Sequence, residues 1–242
     1  MTTLKQAWFI LRGDHRVGLW NTLFMLIFTA LFMLYIGALT GVIVDDIVAG
    51  QAREVLGDFM LLGMVPMLGF TFSKRKMKYL SDDTYTRMLA YMRGLPIPAV
   101  VLLCKRKLDA ILAFALNGVL FFGFIYALSP HMRGELKLAA YAAFALTWIG
   151  YGLIVAGIYI MVEFSVSGKM YFVITLLLMI SSSGISVLIW LAGGNLLLYT
   201  VKCSQDWGLA SPLMWGTLIG GTVSVQLFSK WTIHRLKSRD LV

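Results

Sequence analysis

Five uncharged polar side chains within long apolar stretches are the first candidates for chemistry, namely Asn21, Asn117, Ser182, Ser183 and Gln226. The two serines belong to a cluster at 181–186 that could supply a nucleophile. A serine nucleophile needs a general base within hydrogen-bond reach, but His15, His131 and His234 all fall outside the apolar stretches. Small hydroxyl residues in such stretches more often let helices approach and bond to one another. We therefore favour helix packing for the serines and keep an intramembrane enzyme as the weaker alternative.

Charged side chains near the apolar stretches are scarce, and each is a functional candidate because a charge buried in lipid must be paired or hydrated. Asp58 lies near the outer end of the second stretch, where we favour an interfacial position over a proton relay. Asp109 follows Lys105 and Arg106 at helical spacing, which favours a local ion pair. Glu163 is predicted at the inner boundary of the fourth stretch. Because no His-Glu-x-x-His motif or paired carboxylates occur within a helix, we expect no catalytic, cofactor or metal site.

Six apolar stretches have to position these residues: 17–44, 55–72, 108–128, 138–162, 171–194 and 207–228. The chain of 242 residues is 59% hydrophobic and 14% charged, whereas soluble domains are nearer to half apolar and a quarter charged. Each stretch can cross most or all of about 30 Å of hydrocarbon at about 1.5 Å per residue. Since backbone groups in lipid must be satisfied within their segment, the sequence predicts an all-α integral membrane protein. It has six transmembrane helices in a single domain over residues 1–242, with Pro66 interrupting the second helix.

Lysine and arginine distinguish the two sides of the predicted bundle. Nine of them lie between the second and third stretches, and others precede the first stretch and follow the last. The opposite side receives only Arg53, Arg133, Lys137 and Lys202. The positive-inside rule therefore places both termini in the cytoplasm, and the net charge of +9 reflects this topology, so we expect no nucleic-acid partner. The first long apolar run begins only after Arg16, with no short apolar region and cleavage site before it, so we also expect no cleaved signal peptide.

The segment before the first stretch has the pattern of an interfacial helix. Leu4, Ala7, Trp8 and Leu11 recur at i, i+3, i+4 and i+7, with polar residues on the other faces. This spacing predicts an amphipathic helix on the inner leaflet of the bilayer. The alternative is a charged lead-in to the first span.

The largest cytoplasmic loop contains a second amphipathic segment, residues 82–93. Ser81 can cap the N-terminus of a helix there, and Gly94 and Pro96 stop it. Its apolar stripe consists of Tyr85, Met88, Leu89 and Met92. Because a helix of about three turns is marginal alone in water, the stripe needs a surface to pack on. The pattern leaves open whether that surface belongs to this protein's own helices or to a partner protein.

The order of these elements resembles the permease subunit of an ABC-2 type ATP-binding cassette transporter of the small bacterial six-span kind. The resemblance covers the whole chain: an amphipathic N-terminus, six spans and a long first cytoplasmic loop. Its most specific local part is the run from Met92 to Pro98, Met-Arg-Gly-Leu-Pro-Ile-Pro, followed by an apolar run into Lys105. This run is similar to the arginine-x-leucine-proline-(isoleucine or valine)-serine stretch that opens the third span in many such permeases, with Pro98 where serine is common. The segment 163–169 is also similar to small bacterial permeases.

The resemblance implies that residues 82–93 form a coupling helix seated in a cleft of a separate ATPase subunit. The candidates for coupling to that ATPase are Tyr85, Met88, Leu89, Met92, Arg93 and Glu163. The resemblance further implies a dimer with a second permease, as a homodimer or a heterodimer, exporting a substrate across the bacterial plasma membrane. This chain lacks a phosphate-binding loop, because Met170 follows its only Gly-Lys pair where Ser or Thr is required. ATP would therefore act through the partner subunit, with no cofactor bound by this chain.

An ATP-independent ion-coupled carrier or channel is the alternative class of transport protein. Such a protein would normally place charged residues near the membrane midplane and often show an internal repeat. Neither feature is clear in this sequence, so the permease remains the favoured expectation.

Overall fold

The computed structural model describes residues 2–16, 19–50, 54–70 and 97–238, and within these ranges the chain is helical, with no β-strand. The α-helices are α1 (Thr3–Arg16), α2 (Leu19–Val48), α3 (Glu54–Met64), α4 (Ala99–Leu128), α5 (Pro130–Glu135), α6 (Leu138–Ser165), α7 (Gly168–Leu191), α8 (Leu196–Trp207) and α9 (Pro212–Ser238). Two short 3-10 turns follow α3 and α8, at Val65–Gly69 and Gly208–Ala210. The predicted all-α fold class is confirmed. The predicted coupling helix, residues 82–93, lies outside the described residues.

Four of the described helices are long and apolar enough to cross a membrane: Thr22–Val48 within α2, and the whole of α4, α6 and α7. They correspond to the first, third, fourth and fifth stretches found in the sequence. The chain is therefore a helical membrane protein. Two helix ends differ from the limits of the apolar stretches. Helix α4 begins at Ala99 instead of residue 108, and α7 ends at Leu191 because Gly193 has a positive φ of 73°.

The second predicted span, 55–72, is a shorter apolar helix in the structure. Helix α3 has 11 residues and the 3-10 turn after it has 5. At about 1.5 Å per α-helical residue and about 2 Å per 3-10 residue, the two pieces are roughly 26 Å long. Pro66 lies at the start of the 3-10 turn, as expected for a residue that cannot continue the α-helical ladder.

The sixth predicted span, 207–228, overlaps two helices of the structure. Helix α8 ends at Trp207, Gly208 adopts a positive φ of 50°, and α9 begins at Pro212. A positive φ is easy only for glycine, and proline is well suited to the first turn of a new helix. Helix α9 is 27 residues long but is not among the four helices apolar enough to be a clear span. The count of six spans therefore stays a prediction.

Helices α2 and α4 run in the same direction in close contact. A Cβ on Gly37 would lie 3.1 Å from the Phe121 carbonyl oxygen, and one on Gly41 would lie 3.2 Å from the Ile125 Cα. Contacts that advance by four residues on both helices require a parallel pair. Just beyond the C-terminal end of α4, Ser129 Oγ donates a hydrogen bond to the Gly41 carbonyl oxygen at 2.7 Å.

Helices α4 and α6 form an antiparallel hairpin through the short α5. The ring of Tyr126 packs on Tyr141, and the ring of Phe122 packs edge to face on Phe144. Contacts that advance on one helix while they recede on the other define opposite directions. Phe122, Tyr141 and Phe144 belong to the main hydrophobic core, and Tyr126 packs against it. Helices α2, α3, α5 and α8 also contribute to this core.

Helices α6 and α9 pack with their backbones in close contact. Backbone atoms of Thr217 would lie 2.6 Å from a Cβ on Gly150, and those of Ser224 would lie 3.1 Å from a Cβ on Gly157. Both contacts advance by seven residues, so the pair is parallel. Ser224 Oγ also donates to the Ile154 carbonyl oxygen at 2.8 Å. Gly216 of the same helix is not part of this contact, because no described residue lies within 4 Å of a Cβ on Gly216.

Helix α1 packs on α4 through part of its predicted apolar stripe. Ala7 and Leu11 are buried, whereas Leu4 and Trp8 are more than half exposed. One part of the stripe is therefore buried in the protein, and the other part is exposed. The exposed part is suited to the bilayer interface, where the sequence analysis places this helix.

Candidate functional site

A buried ion pair joins α4 to α6. Arg106 Nε donates to Glu163 Oε2 at 2.7 Å, and the two side chains are only 9% and 12% exposed. A charge taken out of water is costly unless an opposite charge and hydrogen bonds compensate for it. Because each side chain would be left as an uncompensated charge without the other, the pair fixes the two helices against each other at this level.

The neighbouring charges of α4 are organised differently. Lys105 Nζ lies 3.2 Å from Asp109 Oδ2, a local pair one helical turn apart. This confirms the ion pair predicted for Asp109, with Lys105 as its partner. Arg106 follows Lys105 by one residue and therefore projects about 100° further round the helix, where it meets Glu163 of α6 instead.

Glu163, a predicted contact to an ATPase subunit, has its carboxylate directed at Arg106 within the bundle. The other coupling candidates, Tyr85, Met88, Leu89, Met92 and Arg93, lie outside the described residues. The structure thus gives Glu163 an internal partner, and its role towards an ATPase stays a prediction.

Both ends of the segment 71–96 join the bundle near this ion pair. Phe70, the last described residue before the segment, lines a small cavity together with Arg106 and packs its ring edge to face on Tyr159, with centroids 5.0 Å apart. Helix α4 begins at Ala99, two turns before Arg106. A displacement of this segment would therefore act first on the part of α4 and α6 that the ion pair joins.

The interruption of α3 by Pro66 leaves a backbone carbonyl without its helical donor. Pro66 has no N–H group, so the carbonyl of Leu62, four residues earlier, loses its usual hydrogen bond. Tyr151 of α6 replaces it, because its hydroxyl donates to the Leu62 carbonyl oxygen at 3.0 Å. Such replacement is what allows a proline inside a membrane helix.

Asn117 of α4 satisfies the other end of the broken helix. Its Nδ2 donates to the carbonyl oxygens of Leu68 at 2.9 Å and Phe70 at 3.1 Å. Asn117 is 1% exposed, and no donor within the described residues reaches its Oδ1. Its amide, predicted as a polar candidate within the membrane, therefore caps the 3-10 turn in the structure.

We expect Tyr151→Phe to lower the free energy of unfolding by about 1–2 kcal/mol, and Asn117→Leu by about 2–3 kcal/mol, because each leaves buried carbonyls without a donor. Ser183→Ala is the matched control, since its hydroxyl donates to a carbonyl of its own helix, and should change stability by less than about 0.5 kcal/mol. Equilibrium unfolding in mixed detergent micelles measures all three. Equal effects of Tyr151→Phe and Ser183→Ala would contradict the role assigned to Tyr151.

The serine cluster of α7 is satisfied within its own helix. Each hydroxyl donates to the carbonyl four residues earlier, at distances of 2.8, 2.9, 3.0 and 3.1 Å for Ser181, Ser182, Ser183 and Ser186. Ser182 also interacts with the Tyr151 hydroxyl. This arrangement fits helix contact, the interpretation favoured from the sequence.

The last two polar candidates are separated from the others. The side chain of Asn21 lies outside the described set, and Gln226 is exposed on α9, where it lines a groove shared with α4 and α6. The structure therefore does not bring the five polar candidates into one site. It brings together Ser182 with Tyr151, and Asn117 with the end of the broken helix.

Asp58 links α3 to α8, and its predicted position at the membrane interface stays a prediction. It is 2% exposed and accepts hydrogen bonds from the backbone N–H groups of Leu196, at 2.9 Å, and Leu197, at 2.7 Å. These groups belong to the first turn of α8, whose positive end favours a carboxylate. The sequence signal for α8 was Asn195, which caps the helix by accepting from the Leu198 N–H directly after Gly193 and Gly194.

No group of three or more His, Cys, Asp or Glu side chains that could hold a metal occurs within the described ranges. Comparison with known proteins gives no match, either to a family model, to a curated protein or to a solved structure.

Proposed function

We propose that the chain is the transmembrane permease subunit of an ABC-2 type exporter, driven by a separate ATPase subunit. In this proposal the segment 71–96 receives the movement of the ATPase, and the spans carry it to a substrate path. The resemblance of the run from Met92 to Pro98 to ABC-2 permeases supports this choice of family, and the helical membrane fold is compatible with it.

The observation that carries the proposal is the arrangement at the base of the segment 71–96. One end of the segment follows Phe70, which lines a small cavity together with Arg106, and the other end leads into α4 two turns before Arg106. Both ends are therefore near the Arg106–Glu163 ion pair. A buried ion pair between two spans transmits a displacement because separating the charges is costly. A partner that moves this segment would therefore move α4 and α6 together.

We propose six crossings with both termini in the cytoplasm of a bacterial cell. In such a chain the first and third crossings are parallel, the fourth and sixth are parallel, and the third and fourth are antiparallel. The pairs α2 with α4, α6 with α9, and α4 with α6 have these relative directions. Lysine and arginine are in excess near the N-terminal end of α4, so the positive-inside rule places this end of the helix in the cytoplasm.

A second permease is the proposed partner of α7. This helix is of spanning length, yet only Gly168, Tyr171 and Ser186 are buried along it. Membrane helices associate through small residues that let their backbones approach closely. Ser181 and Gly184 lie one turn apart on the same face of α7, and no described residue lies within 4 Å of a Cβ on Gly184.

The test of the proposal is purification of the affinity-tagged chain from its native host in mild detergent, with Met88→Asp as the diagnostic variant. An ATPase subunit is expected with the wild type. Met88→Asp should reduce its recovery at least about tenfold, because an unpaired carboxylate buried in an apolar contact costs more than about 1.4 kcal/mol.

The matched control is Ala90→Asp, which introduces the same charge on the face of the predicted helix opposite the stripe and should retain the ATPase. A melting temperature recorded on the same preparations identifies a folding defect. Absence of any ATPase from the wild-type preparation, or normal recovery with a well-folded Met88→Asp variant, would contradict the proposal. Transport by the purified chain alone would favour the ATP-independent carrier.

A further inference from the structure

A groove of about 260 Å³ lies between α4, α6 and α9. Its walls are apolar and come from all three helices: Ala110, Ile111, Leu153, Ala156, Ile160 and Val225. Ile111 on one rim is more than half exposed, and Thr222 and Gln226 on the other rim are exposed. The groove therefore opens on the outer surface of the bundle, where lipid surrounds these spans.

One cation at this groove has no ion-pair partner in the part of the chain that the structure describes. Lys105 is paired with Asp109 and Arg106 with Glu163, whereas no carboxylate within the described residues lies within ion-pair distance of Lys107. Lys107 is half-buried and lines the groove. A half-buried ammonium next to apolar walls is most stable when a compact anion binds it.

The opposite rim adds donors without adding negative charge. Gln226 supplies an amide on α9, and Lys230 follows one turn later on the same face of that helix and is exposed. A second copy of this face would bring cations against cations, which disfavours a symmetric contact between chains. An anionic head group with an apolar tail complements the groove in both charge and polarity.

We propose that this groove is a binding site for an anionic phospholipid, with its phosphate at Lys107 and Gln226 and an acyl chain along Ile111, Leu153 and Val225. The position at the lysine-rich end of the bundle agrees with the preference of basic pockets between membrane helices for anionic head groups. The site is independent of any ATPase. A lipid bound in the groove would stabilise the contact of α4 and α6 with α9.

The experiment is native mass spectrometry of the full chain released from detergent, with phosphatidylglycerol and phosphatidylcholine added at equal concentration. We expect the wild type to retain phosphatidylglycerol preferentially. Lys107→Gln should reduce its apparent affinity about tenfold, as for loss of a charge-assisted hydrogen bond. Lys105→Gln, which removes the adjacent but paired cation, is the matched control and should leave lipid retention within about twofold.

A second variant separates a specific site from general charge attraction. Val225→Trp keeps every charge but fills the apolar part of the groove, and it should also reduce retention of phosphatidylglycerol. The melting temperature of each variant in detergent shows whether it is folded. Equal retention of the two lipids by the wild type, retention of neither, or equal losses in Lys107→Gln and Lys105→Gln would overturn the assignment.

Discussion

Replacing Glu163 with glutamine should lower the free energy of unfolding by about 3 kcal/mol, because the substitution leaves the buried Arg106 guanidinium without a counter-charge. Arg106 Nε and Glu163 Oε2 are 2.7 Å apart, and the side chains have little exposure. A neutral amide can still accept one hydrogen bond, but it cannot compensate the desolvated charge. Equilibrium unfolding in mixed detergent micelles measures the change.

Glu135→Gln is the matched control for this first prediction. It makes the same carboxylate-to-amide change at an exposed side chain, which should alter the free energy of unfolding by less than about 0.5 kcal/mol. The double variant Arg106→Met with Glu163→Leu, which removes both charges, should recover much of the loss. Equal effects of Glu163→Gln and Glu135→Gln would contradict the assigned burial of the ion pair.

The second large effect is expected at Gly150. In Gly150→Ala the new methyl group would lie 2.6 Å from the carbonyl carbon of Thr217 and 2.7 Å from the Leu218 nitrogen. Backbone atoms cannot rotate away as the end of a side chain can, so α6 and α9 must separate. Overpacking of this kind costs about 3 kcal/mol, and the melting temperature of the purified chain should fall accordingly.

Gly216→Ala provides the contrast for the second prediction. Gly216 lies within α9, but no described residue is within 4 Å of its added Cβ, and alanine is a better helix former than glycine by about 1 kcal/mol. Its melting temperature should therefore stay the same or rise. If Gly150→Ala were tolerated as well as Gly216→Ala, the close parallel contact of α6 with α9 would be refuted.

The spans that could be predicted are those in which a long apolar run coincides with a helix. The stretch 138–162 matched α6 closely, because a helix satisfies the backbone hydrogen bonds of a segment in lipid. Helix α4 begins before the third apolar stretch, and Lys105, Arg106 and Lys107, which were assigned to the preceding connection, lie on the helix. Long basic side chains can instead remain on a helix when they are paired or reach polar surroundings.

Partners separated along the chain could not be predicted from spacing. Asn117 and Glu163 were identified as unusual residues, but their functions depend on Leu68, Phe70 and Arg106, which are 47 to 57 residues away. Tyr151 was missed for the same reason, although Pro66 indicated that the Leu62 carbonyl would need a donor. The spacing of Gly37 and Gly41 is a small-residue pattern of the kind that brings membrane helices together, and it was a signal that the sequence analysis did not use.

The parallel pairs described above have a consequence for biogenesis. Neighbouring crossings of a membrane are antiparallel, so a helix can meet a parallel partner only after at least one intervening crossing has been synthesised. The Gly37 and Gly41 face of α2 is therefore completed only when α4 reaches Phe121 and Ile125, and the Gly150 face of α6 waits until Thr217 of α9. During synthesis each glycine face therefore waits for its final neighbour, and the contact of α6 with α9 forms only when the last described helix has been made.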